Sequence, residues 1–192
     1  MAEPVKRDEY YTYADYLTWD DDERWELIDG TPFLMSPAPS PRHQRVLAEI
    51  LTQLVTSLRG NPCQVYGAPF DVRLDPFGAD ATVAQPDISV VCDSSKIDNR
   101  GCNGAPDFVL EIISPASLKR DRYDKFRAYQ KAGVREYWIV DLENQLISVN
   151  ILNESQEFVL RTYSRDEDGI VPLIVLDCEI DFTLVFRDIP LE

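Results

Sequence analysis

The chain has 192 residues, 44% of them apolar and 10% aromatic, and a formal net charge of −15. That length suits one well-cored domain over residues 1–192 with a flexible N-terminus at 1–10, and the composition argues against disorder. The acidic total opposes nucleic-acid binding through the general field, no apolar stretch reaches the length of a membrane span or signal-peptide core, and four scattered cysteines without a CxxC pair predict reduced thiols, a cytoplasmic setting and no structural zinc.

"TYADYLTW", from residue 12, predicts a short helix capped by Thr12. "RWELIDGTPFLMS" gives two apolar runs joined by Asp29-Gly30, a strong hairpin signal. "SPRHQRVLAEILTQLVTSLRG" is a helix with Pro41 near its start and Gly60 past its end. Its wide stripe of Val46, Leu47, Ile50, Leu51, Leu54, Val55 and Leu58 predicts packing on a sheet. "CQVYGAPFDVRL" gives one or two strands broken near Gly67-Ala68-Pro69, "GADATVAQ" an exposed turn, "PDISVVC" a strand after Pro86, and "DSSKIDNRGCNG" a loop.

"PDFVLEII" is a buried strand after Pro106. Beyond Ser114-Pro115 the period becomes helical, until Gly133 supplies a left-handed cap. "EYWIVDL", "QLISVNIL", "EFVLRTYS", "VPLIVL" and "DFTLVF" read as strands. Strands with two main helices predict an α/β or α+β fold, with the helix between "PDFVLEII" and "EYWIVD" joining neighbouring parallel strands.

Glu111 stands inside an apolar strand, where an unpaired carboxylate is costly, so it needs a cation, a hydrogen-bond network or a chemical task. Asp87 opens "DISVV". If the two strands pair, both acids converge at one end of the sheet, where a divalent cation would relieve their repulsion. On the next helix Lys125 lies one turn after Asp121 and one before Tyr129, so the three share a face. The segment from Lys119 to Arg135 holds seven of the chain's 19 cationic residues and is locally positive. Each acid also has a plain reading, Asp87 as a strand-opening residue and Glu111 as half of a structural ion pair, and Lys125 alone reads as a solvated helix residue. Tyr129, Tyr137 and Trp138 read as core aromatics.

The ordered set "ELIDG…H…PDI…EIISP…D…K…GVREYWIVD" resembles the Uma-type family of proposed restriction endonucleases, in the PD-(D/E)XK nuclease superfamily, from about Tyr13 to Leu152. The resemblance implies a restriction-endonuclease-like fold, a central mixed sheet flanked by helices with an additional hairpin and antiparallel strands. It also implies phosphodiester hydrolysis in which Asp87, Glu111 and the main-chain carbonyl of Ile112 hold Mg²⁺ or Mn²⁺. The superfamily's usual lysine, two residues after the glutamate, is replaced by Ile113, so Lys125 would serve from the helix. Glu26, His43 and Asp121 are additional candidates: Glu26 as an outer ligand or an ordinary hairpin residue, His43 near the site or bonded at its helix start, Asp121 as the partner that positions Lys125. Lys119, Arg120 and Arg122 are the expected nucleic-acid contacts, DNA the expected partner and a homodimer the expected assembly. Two other readings stand beside the DNA endonuclease: a non-catalytic binding module that keeps the fold, and a metal-dependent hydrolase of another phosphate ester.

Overall fold

The computed structural model describes residues 9–20, 23–35, 38–75, 80–114, 117–165, 168–187 and 189. Most of the expected N-terminal tail, together with Pro115, lies outside them. Helix α1 (Tyr13–Tyr16) is closed by a capping box, in which Asp15 accepts the Thr12 main-chain N–H at 2.8 Å. Strands β1 (Trp25–Ile28) and β2 (Thr31–Leu34) form the expected hairpin, with Asp29 (φ 46°) and Gly30 (φ 77°) in the left-handed region that two-residue hairpin turns require. Helix α2 (Pro41–Ser57) begins under Ser40, whose hydroxyl accepts the His43 N–H at 3.2 Å. Val46, Ile50 and Leu54 are buried while Val55 is 44% exposed, so the packed stripe is narrower than the sequence suggests.

Seven strands follow: β3 (Gln64–Gly67), β4 (Val72–Arg73), β5 (Val83–Ala84), β6 (Ile88–Val91), β7 (Ile97–Asp98), β8 (Gly101–Asn103) and β9 (Phe108–Ile113). The helix after β9 is π-wound over Arg120–Lys125 and regular over α3 (Phe126–Ala132), ending on Gly133 at φ 87°. Then come β10 (Glu136–Asp141), β11 (Leu146–Leu152), β12 (Phe158–Ser164), β13 (Ile170–Leu173), β14 (Cys178–Asp181) and α4 (Phe182–Val185).

Two six-stranded sheets result. One runs β2-β1-β5-β4-β8-β7; the other runs β12-β11-β10-β9-β6-β3, with β9 and β10 parallel as the crossover predicts. Both faces of the second sheet are covered. Phe108, Leu110, Ile112, Trp138 and Val140 pack with α2, β13, β14 and α4. Val109, Ile113, Tyr137 and Ile139 pack with α3 and residues of the first sheet. Side-chain alternation puts Glu111 on this second face, between the two sheets.

Four sequence expectations are corrected. The "DFTLVF" segment is helix α4 rather than a strand, because the Asp181 carboxylate caps it by accepting the Thr183 N–H at 2.9 Å and the Leu184 N–H at 3.2 Å. Within "GADATVAQ", residues 81–85 are buried and include β5, which pairs with both β1 and β4; Gly78 and Ala79 lie outside the described residues. The polar "DSSKIDNRGCNG" contains the β7–β8 hairpin. Cys63 and Cys92 are disulfide-bonded instead of reduced, because they flank β3 and β6 just beyond the Gln64–Val91 pair and so face each other across the ladder; Cys102 and Cys178 are free thiols. Among the described residues no helix is long and apolar enough to cross a membrane.

Candidate active site

Ile88 of β6 lies opposite Leu110 of β9 in an antiparallel ladder, so Asp87 falls opposite Glu111 on the same face of the sheet. Asp87 Oδ2 accepts the main-chain N–H of Ile112 at 2.7 Å and lies 3.2 Å from His43 Nε2 at the start of α2. Glu111 Oε1 accepts from Lys125 Nζ and from the Tyr129 hydroxyl, each at 2.8 Å. Among the described residues no hydrogen bond reaches Asp87 Oδ1 or Glu111 Oε2, so each acid has one tethered and one open oxygen.

Lys125 is almost fully buried among three acids. Its Nζ is 2.7 Å from Glu26 Oε1, 2.8 Å from Glu111 Oε1 and 3.6 Å from Asp121 Oδ1. Glu26 comes from the other sheet, and its Oε1 is fixed by the main-chain N–H of Gln85 at 2.9 Å. Helix winding explains how Asp121, Lys125 and Tyr129 share one inward face. Four residues of α-helix overshoot a full turn by about 40°, whereas the wider π-turn undershoots it, so π-winding from 121 to 125 followed by α-winding to 129 keeps the stripe straight. Tyr137, on β10, donates its hydroxyl to the main-chain carbonyl of Asp121 at 3.1 Å and supports the same segment.

Burial raises the pKa of Glu111 well above the ordinary glutamate value; Lys125 pulls it down, while Asp121, Asp87 and Glu26 push it further up. Burial likewise raises Asp121, against the pull of Lys125. For Lys125, burial works toward a lower pKa, but Glu111, Glu26 and Asp121 outweigh it and hold the ammonium charged beyond the usual lysine range. Three carboxylates, Glu26, Glu111 and Asp121, thus gather on Lys125, with Arg120 beside Glu26, while Asp87 stands next to Glu111 with His43 as its neighbour.

A cavity of about 570 Å³ opens beside this cluster, lined by Asp87, Glu111, Lys125, Asp121 and His43 among others. No group of three or more His, Cys, Asp or Glu among the described residues forms a ready metal cage. Two carboxylates with open oxygens suit a hard cation that keeps several waters, which is how Mg²⁺ is commonly held.

The structure therefore brings together Asp87, Glu111, Lys125, Glu26, His43 and Asp121. It separates the three expected nucleic-acid contacts. Arg120 turns inward, with Nε 3.5 Å from Glu26 Oε2, a hydrogen bond at 3.4 Å to the Leu34 carbonyl and its guanidinium over Phe33. Lys119 and Arg122 are exposed, the latter 3.2 Å from Asp141. Tyr129 is core, as read, but its hydroxyl also serves Glu111; its spacing from Lys125 was the available signal. Trp138 finds its partner in Glu136 Oε1 at 2.6 Å.

The sequence pattern of the Uma2 family, described as "Putative restriction endonuclease", matches residues 13–184. An uncharacterized protein of Synechocystis sp. is 23% identical over 170 residues, a match covering 87% of each chain. A crystal structure of a putative nuclease of the DUF820 group from Anabaena variabilis is similar in fold, with a TM-score of 0.72 at 19% identity, covering 92% of this chain and 97% of that one. With the family pattern running through nearly its whole length and the fold restriction-endonuclease-like, the protein belongs to the Uma2 family.

Proposed function

We propose that this nuclease-like protein is a metal-dependent DNA endonuclease. One observation carries the reading: Asp87 and Glu111 stand opposite each other, each with one oxygen tethered by protein donors and one open, while Lys125 is delivered to Glu111 by the next helix. Asp87 Oδ1 and Glu111 Oε2 would hold Mg²⁺ or Mn²⁺, with the Ile112 carbonyl as a main-chain ligand. A divalent ion bound there supplies charge to polarise a phosphodiester and acidify a water.

The chain's own residues do the rest. Ile112 N–H and His43 orient Asp87, and Lys125 and Tyr129 orient Glu111, so neither acid has to reorganise when the cation enters. Lys125 keeps a permanent positive charge at the cavity wall, placed to stabilise negative charge developing on a phosphate. The test is plasmid nicking with Mg²⁺ and with Mn²⁺, by wild type and by Glu111→Ala. Activity in wild type and its loss in the variant are expected; no activity in wild type, or equal activity in both, overturns the reading.

The close contact of Lys125 with Glu26 favours a second reading, a structural ion cluster in a non-catalytic binding module. Calorimetric titration with Mn²⁺ separates the two, since such a module gives no binding heat that vanishes on Asp87→Ala.

A further inference from the structure

The helix that turns Asp121, Lys125 and Tyr129 inward carries a second stripe on its outer side. Lys119, Tyr123, Arg127 and Lys131 follow at intervals of four residues, with Arg122 beside them, and all five are exposed. The π-winding that keeps the inner stripe straight also offsets the drift of this outer one. The stripe begins where Ser117, Arg120 and Asp121 line the cavity, and the twelve steps from Lys119 to Lys131 run at most about 18 Å, the α-helical rise being the upper bound for a partly π-wound segment.

Two features of this face call for a ligand. In a chain of net charge −15, the stripe itself carries four cations against one acid, Asp124, while Asp29 and Asp141 approach it from neighbouring elements. Their described partners hold them weakly: Lys131 and Asp29, 3.6 Å apart, are both largely exposed, and Arg122 is 44% exposed beside Asp141. Amid the cations Tyr123 exposes 62% of its surface and its ring packs on no other aromatic among the described residues. A flat aromatic face flanked by cations at one-turn intervals matches an unstacked base flanked by its phosphates. It does not match a duplex, whose bases offer no open face and whose binding calls for a broader positive field.

We infer that this outer stripe is the track on which a single-stranded or locally unpaired DNA segment lies as it enters the site, with Tyr123 stacking on a base and Lys119, Arg122 and Arg127 holding phosphates. The inference rests on the nuclease reading and names the form of its substrate.

The test is fluorescence anisotropy of a labelled oligothymidylate and of a labelled duplex with metal-free protein, for wild type, Tyr123→Ala, Tyr123→Phe and the double variant Lys119→Gln/Arg127→Gln. The altered side chains are exposed, so unchanged unfolding temperatures verify the fold. Tyr123→Ala is expected to weaken single-strand binding roughly five- to a hundredfold, with Tyr123→Phe near wild type. The double variant is expected to lower the slope of log K against log salt by about 0.7 per cation removed. Unchanged single-strand affinity in Tyr123→Ala, or a wild-type preference for duplex, overturns the track. Hydrolysis of bis(p-nitrophenyl) phosphate by wild type separates the two readings: hydrolysis without oligonucleotide binding sinks the track alone, and Tyr123-dependent binding without any hydrolysis sinks the nuclease reading alone.

Discussion

The ammonium of Lys125 lies 2.7 Å from Oε1 of Glu26, a contact that ties the helix over one sheet to the hairpin of the other. Both groups are buried; Lys125 is the nearer of the two cations beside Glu26, and Glu26 is one of three carboxylates around Lys125. Glu26→Ala should therefore lower unfolding stability in urea by about 1–3 kcal/mol, the cost of leaving the buried Gln85 N–H without its acceptor, since Lys125 keeps Glu111 and Asp121. Glu26→Gln should cost less, since an amide oxygen can still accept the Gln85 N–H. A loss below about 1 kcal/mol in Glu26→Ala, typical of surface pairs, would show that the contact does not organise the site.

The tethering of Asp87 predicts a graded response to metal. Removing its charge in Asp87→Asn should abolish the heat of Mn²⁺ binding. His43→Ala should only weaken binding, roughly 10–100-fold, because it removes a ring nitrogen that sits 3.2 Å from the carboxylate and leaves the Ile112 N–H in place. Equal affinity in wild type and His43→Ala would mean that the imidazole does not orient Asp87.

The raised pKa values of Glu111 and Asp121 set the sign of a pH effect. A carboxyl whose folded value exceeds its unfolded value of about 4 stabilises the metal-free fold fully at lower pH and loses that contribution as pH climbs through the raised value. A divalent ion competes with the same protons. The extra stability conferred by Mg²⁺, measured as the difference between urea midpoints with and without it, should grow with pH across that window. Taking the difference removes the background effect of the large negative charge. A Mg²⁺ increment that is flat, or that shrinks with rising pH, would show that these two acids are not protonated in the metal-free protein.

Much of the scaffold was legible because its signals are local. Thr12 and Gly133 act at helix ends, Asp29-Gly30 fits a two-residue turn, and "FVLEII" announces a strand buried on both faces. The convergence of Asp87 with Glu111 followed from strand pairing, and Lys125 from helical spacing. What was illegible is long-range or carried by the backbone. Glu26 meets Lys125 across two sheets, and Cys63 meets Cys92 only through the β3–β6 register. Two-residue strands such as β5 are too short to show a period. The π-winding leaves no compositional mark, yet it decides which side chains of the helix face Glu111. One miss was avoidable: Asp181, two residues before Thr183, is a helix-cap signal inside a segment whose alternation suggested a strand.

The small β7–β8 hairpin offers a test of how the first sheet holds the site. Gly101 has φ 117°, and a Cβ there would overlap the main-chain carbonyl of Asp71, which accepts the Cys102 N–H at 2.8 Å. The Asp71 side chain in turn accepts from Gln85 Nε2 at 2.9 Å, and the Gln85 main-chain N–H fixes Glu26. Gly101→Ala must therefore strain its own backbone or push Asp71 away, and the second course disturbs the anchor of Glu26. A loss of about 2 kcal/mol or more is expected, a fall in Tm of roughly 4–8 °C for a chain of this size. Because the strain passes through Asp71 and Gln85, Mn²⁺ affinity should fall only where it reaches Lys125 and Glu111, and by less than in Asp87→Asn. Wild-type Tm in Gly101→Ala would mean that the hairpin can shift away from Asp71, and that the first sheet holds Glu26 less rigidly than its packing implies.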